Sequence, residues 1–281
     1  MSGRTFAIIG GDKRNISLAE MLFRQGHNVK LYGFVNYKQE SFMQCKQFSE
    51  MIKNAQYIIG PMPCSNKSGA LNTPYHNSKL HPEDVFKHMN TQQVFIAGCI
   101  KASVYEIAKK YNINIIDLLD YEELQVSLAI PTAEGAIKIA IEETDITLHG
   151  SHIMIIGYGH VGVVICRMLQ GMGAKVSVVV ENTYETAVVK SAGYNAILIP
   201  TMDSQLCCAD VIINTKPTTL LDKHNMGFIR QDTLVIDLAH SIDPIAGRKL
   251  GLKTLYANAL LGKVAPITTA GYMLDTIRRI V

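Results

Sequence analysis

The stretch His152–Glu181, HIMIIGYGHVGVVICRMLQGMGAKVSVVVE, decides the fold. Ile153 to Ile156 is an apolar run of the kind that forms a buried parallel strand. It breaks at Gly157-Tyr158-Gly159-His160-Val161-Gly162 and gives way to a helical pattern carried by Val163, Ile165, Cys166, Leu169 and Met172. Gly171 and Gly173 end that helix, and Val176–Val180 forms a second buried strand. Strand, G-x-G-x-x-G, helix and strand in about thirty residues is the dinucleotide-binding βαβ pattern. In that pattern Gly157 allows the tight turn, Gly159 lets backbone approach a pyrophosphate, and Gly162 lets helix and strand pack closely. The helix N-terminus adds N–H groups and a partial positive charge, so Tyr158, His160 and Val161 join the glycines as expected cofactor contacts. The bland alternative is a tight turn in another α/β fold.

A ribose-binding acid is expected about twenty residues past the glycines. Glu181 stands there, one residue beyond Val180, with Asn182 beside it and no Arg close behind. Read alone, Glu181 points to NAD over NADP; its other reading is a solvated loop glutamate.

Working outward, the N-terminal segment repeats this unit in weaker form. Phe6–Ile9 is a strand, Asn15–Gln25 a helix ended by Gly26, and Val29–Tyr32 the next strand. A displacement of 147 positions lays Ile8, Ile9, Gly10, Met21, Leu22, Gly26 and Val29 on Ile155, Ile156, Gly157, Met168, Leu169, Gly173 and Val176. The self-match predicts two βαβ-based domains of similar build. Asp12 stands where a pyrophosphate would be repelled, so the first copy is assigned to substrate. A strand at Gln56–Gly60 leads into a small polar loop whose Ser65, Asn66, Lys67 and Ser68 are candidates to hold an anionic substrate; an ordinary surface loop reads the same way. His76, His81 and His88 lack ligand-like spacing, and no metal site is expected.

Pro131-Thr132-Ala133-Glu134-Gly135 predicts the start of a helix running to about Thr144, with Thr132 as N-cap. A connecting helix here would point its N-terminus into a cleft, placing Thr132, Ala133 and Glu134 at a substrate carboxylate; a plain capped connector is the alternative. Further strands are predicted at Ala196–Ile199, Val211–Asn214, Leu234–Asp237 and Thr254–Tyr256, in the doubly wound order 3-2-1-4-5-6. Asn214-Thr215-Lys216-Pro217 leaves the fourth strand of this domain, counted from Ile153–Ile156, and Asp237-Leu238-Ala239-His240-Ser241 the fifth, both where chain lines a nicotinamide ring. Thr215, Lys216 and Pro217 are therefore cofactor candidates. His240, with its near-neutral reference pKa, leads the candidates for proton transfer, ahead of Lys216 and Glu134. Lys263 precedes the last helix, Thr268–Ile280, and is a further substrate candidate. The expected organisation is an N-terminal Rossmann/flavodoxin-like substrate domain over 1–130 with the C-terminal helix 266–281, a connecting helix over 131–150, and a nucleotide-binding Rossmann domain over 151–265.

Composition agrees with an α/β protein of this size. The 281 residues are 48% hydrophobic and 18% charged, and 27 basic against 24 acidic residues leave a net charge of +3. No basic tract suggests nucleic acid. Six cysteines without C-x-x-C spacing fit a reduced, cytoplasmic setting. Met1–Gly11 runs straight into a strand, and neither a signal peptide nor a membrane span is expected.

Together these motifs resemble the dipicolinate synthase A family of spore-forming bacteria. The similarity rests on Ile8–Gly11 with Asp12 and Arg14, Ile130–Gly135, the run Thr144–Gly162, Asn214-Thr215 with Pro217, Ile236–Ala239, and Gly262–Pro266 with Thr269-Ala270-Gly271. The resemblance implies NAD(P)-dependent oxidation of a dihydrodipicolinate-type cyclic dicarboxylate to dipicolinate in the mother-cell cytosol. It also implies a flavoprotein-like partner, dipicolinate synthase B, and, for the cofactor, NADP; a homo-oligomer is expected. Three positions depart from the family pattern. His160 stands for Arg; His240-Ser241-Ile242-Asp243-Pro244 replaces a Ser-Arg/Lys-Pro-Gly-Gly run; and Ile267 replaces Lys. The family's Arg after the second strand corresponds to Glu181. Charge-assisted hydrogen bonds to carboxylates contribute about 1.5–3 kcal/mol each, so Lys67, Lys216 and Lys263 are the cations left to compensate. One rival reading is a 2-hydroxyacid dehydrogenase, whose substrate-clamping Arg after the fifth strand is absent at His240-Ser241. The other is a non-catalytic nucleotide-binding subunit.

Overall fold

The computed structural model describes residues 3–35, 37, 45, 47–257 and 260–281. The chain divides into two compact units, Met1–Ser127 with Ala265–Val281, and Leu128–Val264. Each is a parallel sheet covered by helices on both faces.

In the first unit the strands are β1 (Thr5–Ile9), β2 (Asn28–Tyr32), β3 (Tyr57–Ile59), β4 (Val94–Ala97) and β5 (Asn114–Asp117), ordered β2-β1-β3-β4-β5. The order reverses at β1, so Ile8 is paired with Leu31 on one side and Ile59 on the other. Helices α1 (Lys13–Arg24), α2 (Phe48–Lys53), α3 (Pro82–Phe86) and α4 (Ala102–Lys110) make the crossovers. Alternation along the strands sends Ala7, Ile9, Ile58 and Phe95 to one face, where Met51, Val85, Phe86 and Val104 cover them.

Helix α5 (Glu122–Glu143) begins in the first unit and ends in the second. The second sheet contains β6 (His152–Ile156), β7 (Lys175–Val180), β8 (Asn195–Leu198), β9 (Val211–Asn214), β10 (Leu234–Asp237) and β11 (Lys253–Tyr256). Its order, β11-β10-β9-β6-β7-β8, is the expected 3-2-1-4-5-6 read from the other edge. Ile153, Ile155, Val178, Val180 and Ile213 pack against Ala133, Ala136 and Ala140 of α5 and Ile165 and Leu169 of α6 (His160–Gly171). Met154, Ile156, Val179 and Ile212 fill the opposite face with Met202, Leu206 and Met226. The remaining helices are α7 (Thr183–Ser191), α8 (Asp203–Leu206), α9 (Pro244–Lys249), α10 (Leu260–Val264) and α11 (Pro266–Ile280), the last packed beside α1 in the first unit.

One element differs from expectation. The helix does not open at Pro131, because residues 122–130 are already helical and Pro131 lies inside α5. Glu122 and Glu123 favour the positive end of the helix, and residues 122–129 are mostly good helix formers. A proline in a helix interior costs about 3 kcal/mol; the burial of Leu128, Ala129, Ala133 and Ala136 outweighs it. Thr132 is therefore no N-cap: its hydroxyl donates back to the Leu128 carbonyl at 2.7 Å. Helix α5 is also long and apolar enough to cross a membrane by composition, but half of that window is buried within the protein, as in a core helix.

Candidate nucleotide site

At the carboxyl end of β6 the chain turns through Gly157, whose φ of +99° is a left-handed conformation open to glycine. A Cβ there would stand 2.7 Å from both Thr215 Oγ1 and Lys216 Cγ. Gly162, one turn into α6, sits so close to the preceding loop that a Cβ would meet the Gly157 carbonyl oxygen at 2.3 Å. Gly159 is the reverse case: exposed, extended, and with no heavy atom within 4 Å of where a side chain would begin. Helix α6 thus starts from a residue that brings no side chain to cap it, beside open backbone. This is the cradle a diphosphate requires, and the residues present fit a dinucleotide.

The neighbouring side chains are held by specific partners. Tyr158 and Val161 are half-buried against the core, and the Tyr158 ring meets Tyr194 edge-on at 6.2 Å; burial raises the pKa of both phenols. His160 is exposed. Thr215 Oγ1 donates to the Ile156 carbonyl at 2.9 Å, clamping the end of β9 to β6. At the end of β7, Glu181 is exposed and forms an ion pair with Lys216. Asn182 caps α7 by accepting from the Glu185 amide at 2.9 Å. Pro217 is exposed just beyond.

A buried polar knot lies between the loops after β9 and β10, and reading the sequence did not single it out. Asn214 Nδ2 donates to Asp237 Oδ1 at 2.9 Å and to Ser241 Oγ at 2.8 Å. The Asp237 carboxylate also accepts from the amides of Ala239 (3.0 Å) and Ile242 (2.9 Å). Ser241 Oγ donates to the Lys216 carbonyl at 2.8 Å, so both loops share one scaffold. The scaffold presents His240 outward in a left-handed conformation, φ +57°, with its ring stacked on Tyr256 at 5.4 Å and 13°. Tyr256 donates to the Ile242 carbonyl; burial first, then Asp237 and Asp243, push its phenol pKa up.

The substrate candidates are less uniform. Ala133 is fully buried in the core of the second unit, so its side chain touches no ligand. Thr132 is tied to its own helix, whereas Glu134 and Lys263 are exposed. In the first unit, Asn66, Lys67 and Ser68 are exposed, and Asn66 Oδ1 accepts from the Ser68 amide and hydroxyl at 2.9 and 2.8 Å. Ser65 is buried, bridges Leu71, and its Oγ has no hydrogen-bond partner. Asp12 caps α1 and pairs at 2.8 Å with Arg14, which is itself buried and donates to the Met62 carbonyl. Among the described residues no group of three or more His, Cys, Asp or Glu side chains is arranged to hold a metal ion.

Residues 5–119 match the N-terminal domain of dipicolinate synthase A, and residues 133–239 match the NAD binding domain of the D-isomer specific 2-hydroxyacid dehydrogenases. Dipicolinate synthase A of Bacillus subtilis is 27% identical over 99% of this chain and 95% of its own length. The crystal structure of dipicolinate synthase A from Bacillus halodurans superimposes with a TM-score of 0.90 at 27% identity, over 99% of this chain and 98% of that one. D-lactate dehydrogenase from Escherichia coli, 12% identical with a TM-score of 0.65 over 98% and 95% of the two chains, shares the fold. With an N-terminal domain of that one kind, a dehydrogenase-type domain suited to a nicotinamide dinucleotide and 27% identity over almost the whole of both chains, the chain is similar from end to end to dipicolinate synthase A.

Proposed function

We propose that this chain is the nucleotide-dependent component of a dipicolinate synthase, oxidising a dihydrodipicolinate-type cyclic dicarboxylate to dipicolinate with NAD. The observation that carries this reading is the open backbone at Gly159, flanked by the close approaches at Gly157 and Gly162, in a chain similar throughout to dipicolinate synthase A. Gly157, Gly159 and Gly162 hold the pyrophosphate, Glu181 accepts from the ribose, and Thr215 and Pro217 border the nicotinamide. An oxidised nicotinamide accepts a hydride, and loss of a proton with it makes the cyclic diene aromatic. His240 is the proton acceptor in this scheme, set outward from the Asn214–Asp237 scaffold. Ser65–Ser68, Glu134 and Lys263 are assigned to the dicarboxylate. The flavoprotein-like dipicolinate synthase B is the proposed partner, in the cytoplasm of a sporulating mother cell.

The test is direct: the purified chain is incubated with NAD or NADP and freshly generated dihydrodipicolinate, and absorbance of the reduced nucleotide is followed. Turnover with NAD supports the reading. One observation favours a second reading, a non-catalytic nucleotide-binding subunit. Ile267, where the family carries Lys, is 66% exposed and offers a carboxylate nothing. Tight NAD binding with no turnover, even with the flavoprotein-like partner added, would establish that alternative.

A further inference from the structure

Lys216 is anchored at its root and reaches across the turn at Gly157. Its amide donates to Asn214 Oδ1 at 3.1 Å, and its carbonyl accepts from Ser241 Oγ at 2.8 Å and Asn214 Nδ2 at 3.2 Å. From there the side chain passes over Gly157, where a Cβ would stand 2.7 Å from Lys216 Cγ and 3.5 Å from its Cε. The ammonium ends on Glu181 Oε1, at the carboxyl end of β7. The lysine therefore joins three points that a doubly wound domain offers to a dinucleotide: the loop after the fourth strand, the first tight turn, and the acid after the second strand. It is largely covered, with a side chain 19% exposed, while Glu181 is 47% exposed.

The geometry points to Lys216 and Glu181 as one device that sets which dinucleotide is accepted, an inference resting on the nicotinamide-nucleotide reading above. Glu181 acts twice. Its charge repels a 2′-phosphate, which carries between one and two negative charges near neutral pH, and it holds the Lys216 ammonium in an ion pair. A bare ribose hydroxyl donates to the carboxylate and leaves the ion pair in place. Neutralising Glu181 removes the repulsion and frees a cation with a fixed root to turn to the phosphate. Lys216, 35 positions away in sequence, is thus a specificity-determining residue acting through the acid.

Dissociation constants for NAD and NADP, measured by calorimetry on the wild type, Glu181→Gln, Lys216→Met and the double variant, test this. The wild type is expected to prefer NAD. Glu181→Gln should shift the NADP-to-NAD affinity ratio toward NADP by roughly ten- to a hundredfold, the worth of one charge-assisted hydrogen bond. Adding Lys216→Met should take most of that gain back. An unchanged ratio in Glu181→Gln, or a gain that survives in the double variant, overturns the inference while leaving the nucleotide site intact. If the wild type binds neither nucleotide, the functional reading itself fails, and this inference falls with it.

Discussion

Asn214 and Asp237 meet across adjacent strands, Nδ2 to Oδ1 at 2.9 Å, and that contact closes a scaffold from which the loops after β9 and β10 depart. Asp237 is fully buried, and its carboxylate accepts from Asn214 Nδ2 and the amides of Ala239 and Ile242. Asp237→Asn turns an acceptor into a donor facing one of those groups. An unmade buried hydrogen bond costs about 1–3 kcal/mol. Denaturant unfolding should show a loss of that size for Asp237→Asn and a comparable one for Asn214→Ala. If both variants matched the wild type, the knot would not be holding the loops.

The glycines of the nucleotide mouth divide into two kinds. Gly159→Val places its methyls in open space on extended backbone that valine favours, φ −80° and ψ −170°. Unfolding free energy should change by about 1 kcal/mol at most, from a poorer helix cap, while NAD binding disappears. Gly162→Ala drives a Cβ against the Gly157 carbonyl, and the strain of overpacking is about 1–3 kcal/mol. Thermal unfolding and calorimetric titration on the two variants separate these effects. Loss of stability in Gly159→Val, or NAD binding that survives it, would contradict the open-mouth geometry.

The second sheet was legible in the sequence because a strand buried on both faces reads as an unbroken apolar run, as at Ile153–Ile156 and Val176–Val180. The glycine turn was legible for the same local reason. Pro131 was not, since its effect on helix continuity depends on how much apolar surface α5 buries on either side, which lies far away in sequence. Asn214 and Asp237 are 23 positions apart, and only strand adjacency reveals that they pair. The same holds for Glu181 and Lys216. The left-handed backbone at His240 had no signal beyond the modest tolerance of histidine for that region.

His240 can be tested against its own packing. Its ring is stacked on Tyr256, so removal has both a structural and a chemical consequence. His240→Asn keeps a residue that tolerates the left-handed conformation while removing the base. General base catalysis contributes about 10²–10⁴-fold. With NAD and dihydrodipicolinate, kcat should fall by about a hundredfold or more, with the NAD dissociation constant little changed and the thermal midpoint preserved. A variant that keeps its kcat would remove His240 from the chemistry and leave only the stack.

Acid sensitivity of the second unit should trace in part to Asp210. Burial alone would raise its pKa, but the His152 amide at 2.8 Å and the Arg230 guanidinium at 2.9 Å outweigh it, and the net shift is downward from 3.8. A carboxyl whose pKa is lower folded than unfolded contributes stability that is complete above the unfolded value and is lost as pH falls through the folded one. The wild type should therefore lose more stability than Asp210→Asn as pH drops below 3.8, and the two curves should run parallel above about pH 6. Arg230 is more than a third exposed, so the difference is screened by salt and should shrink at high ionic strength. Parallel curves throughout the acid range would show that the two donors hold Asp210 equally well when it is protonated.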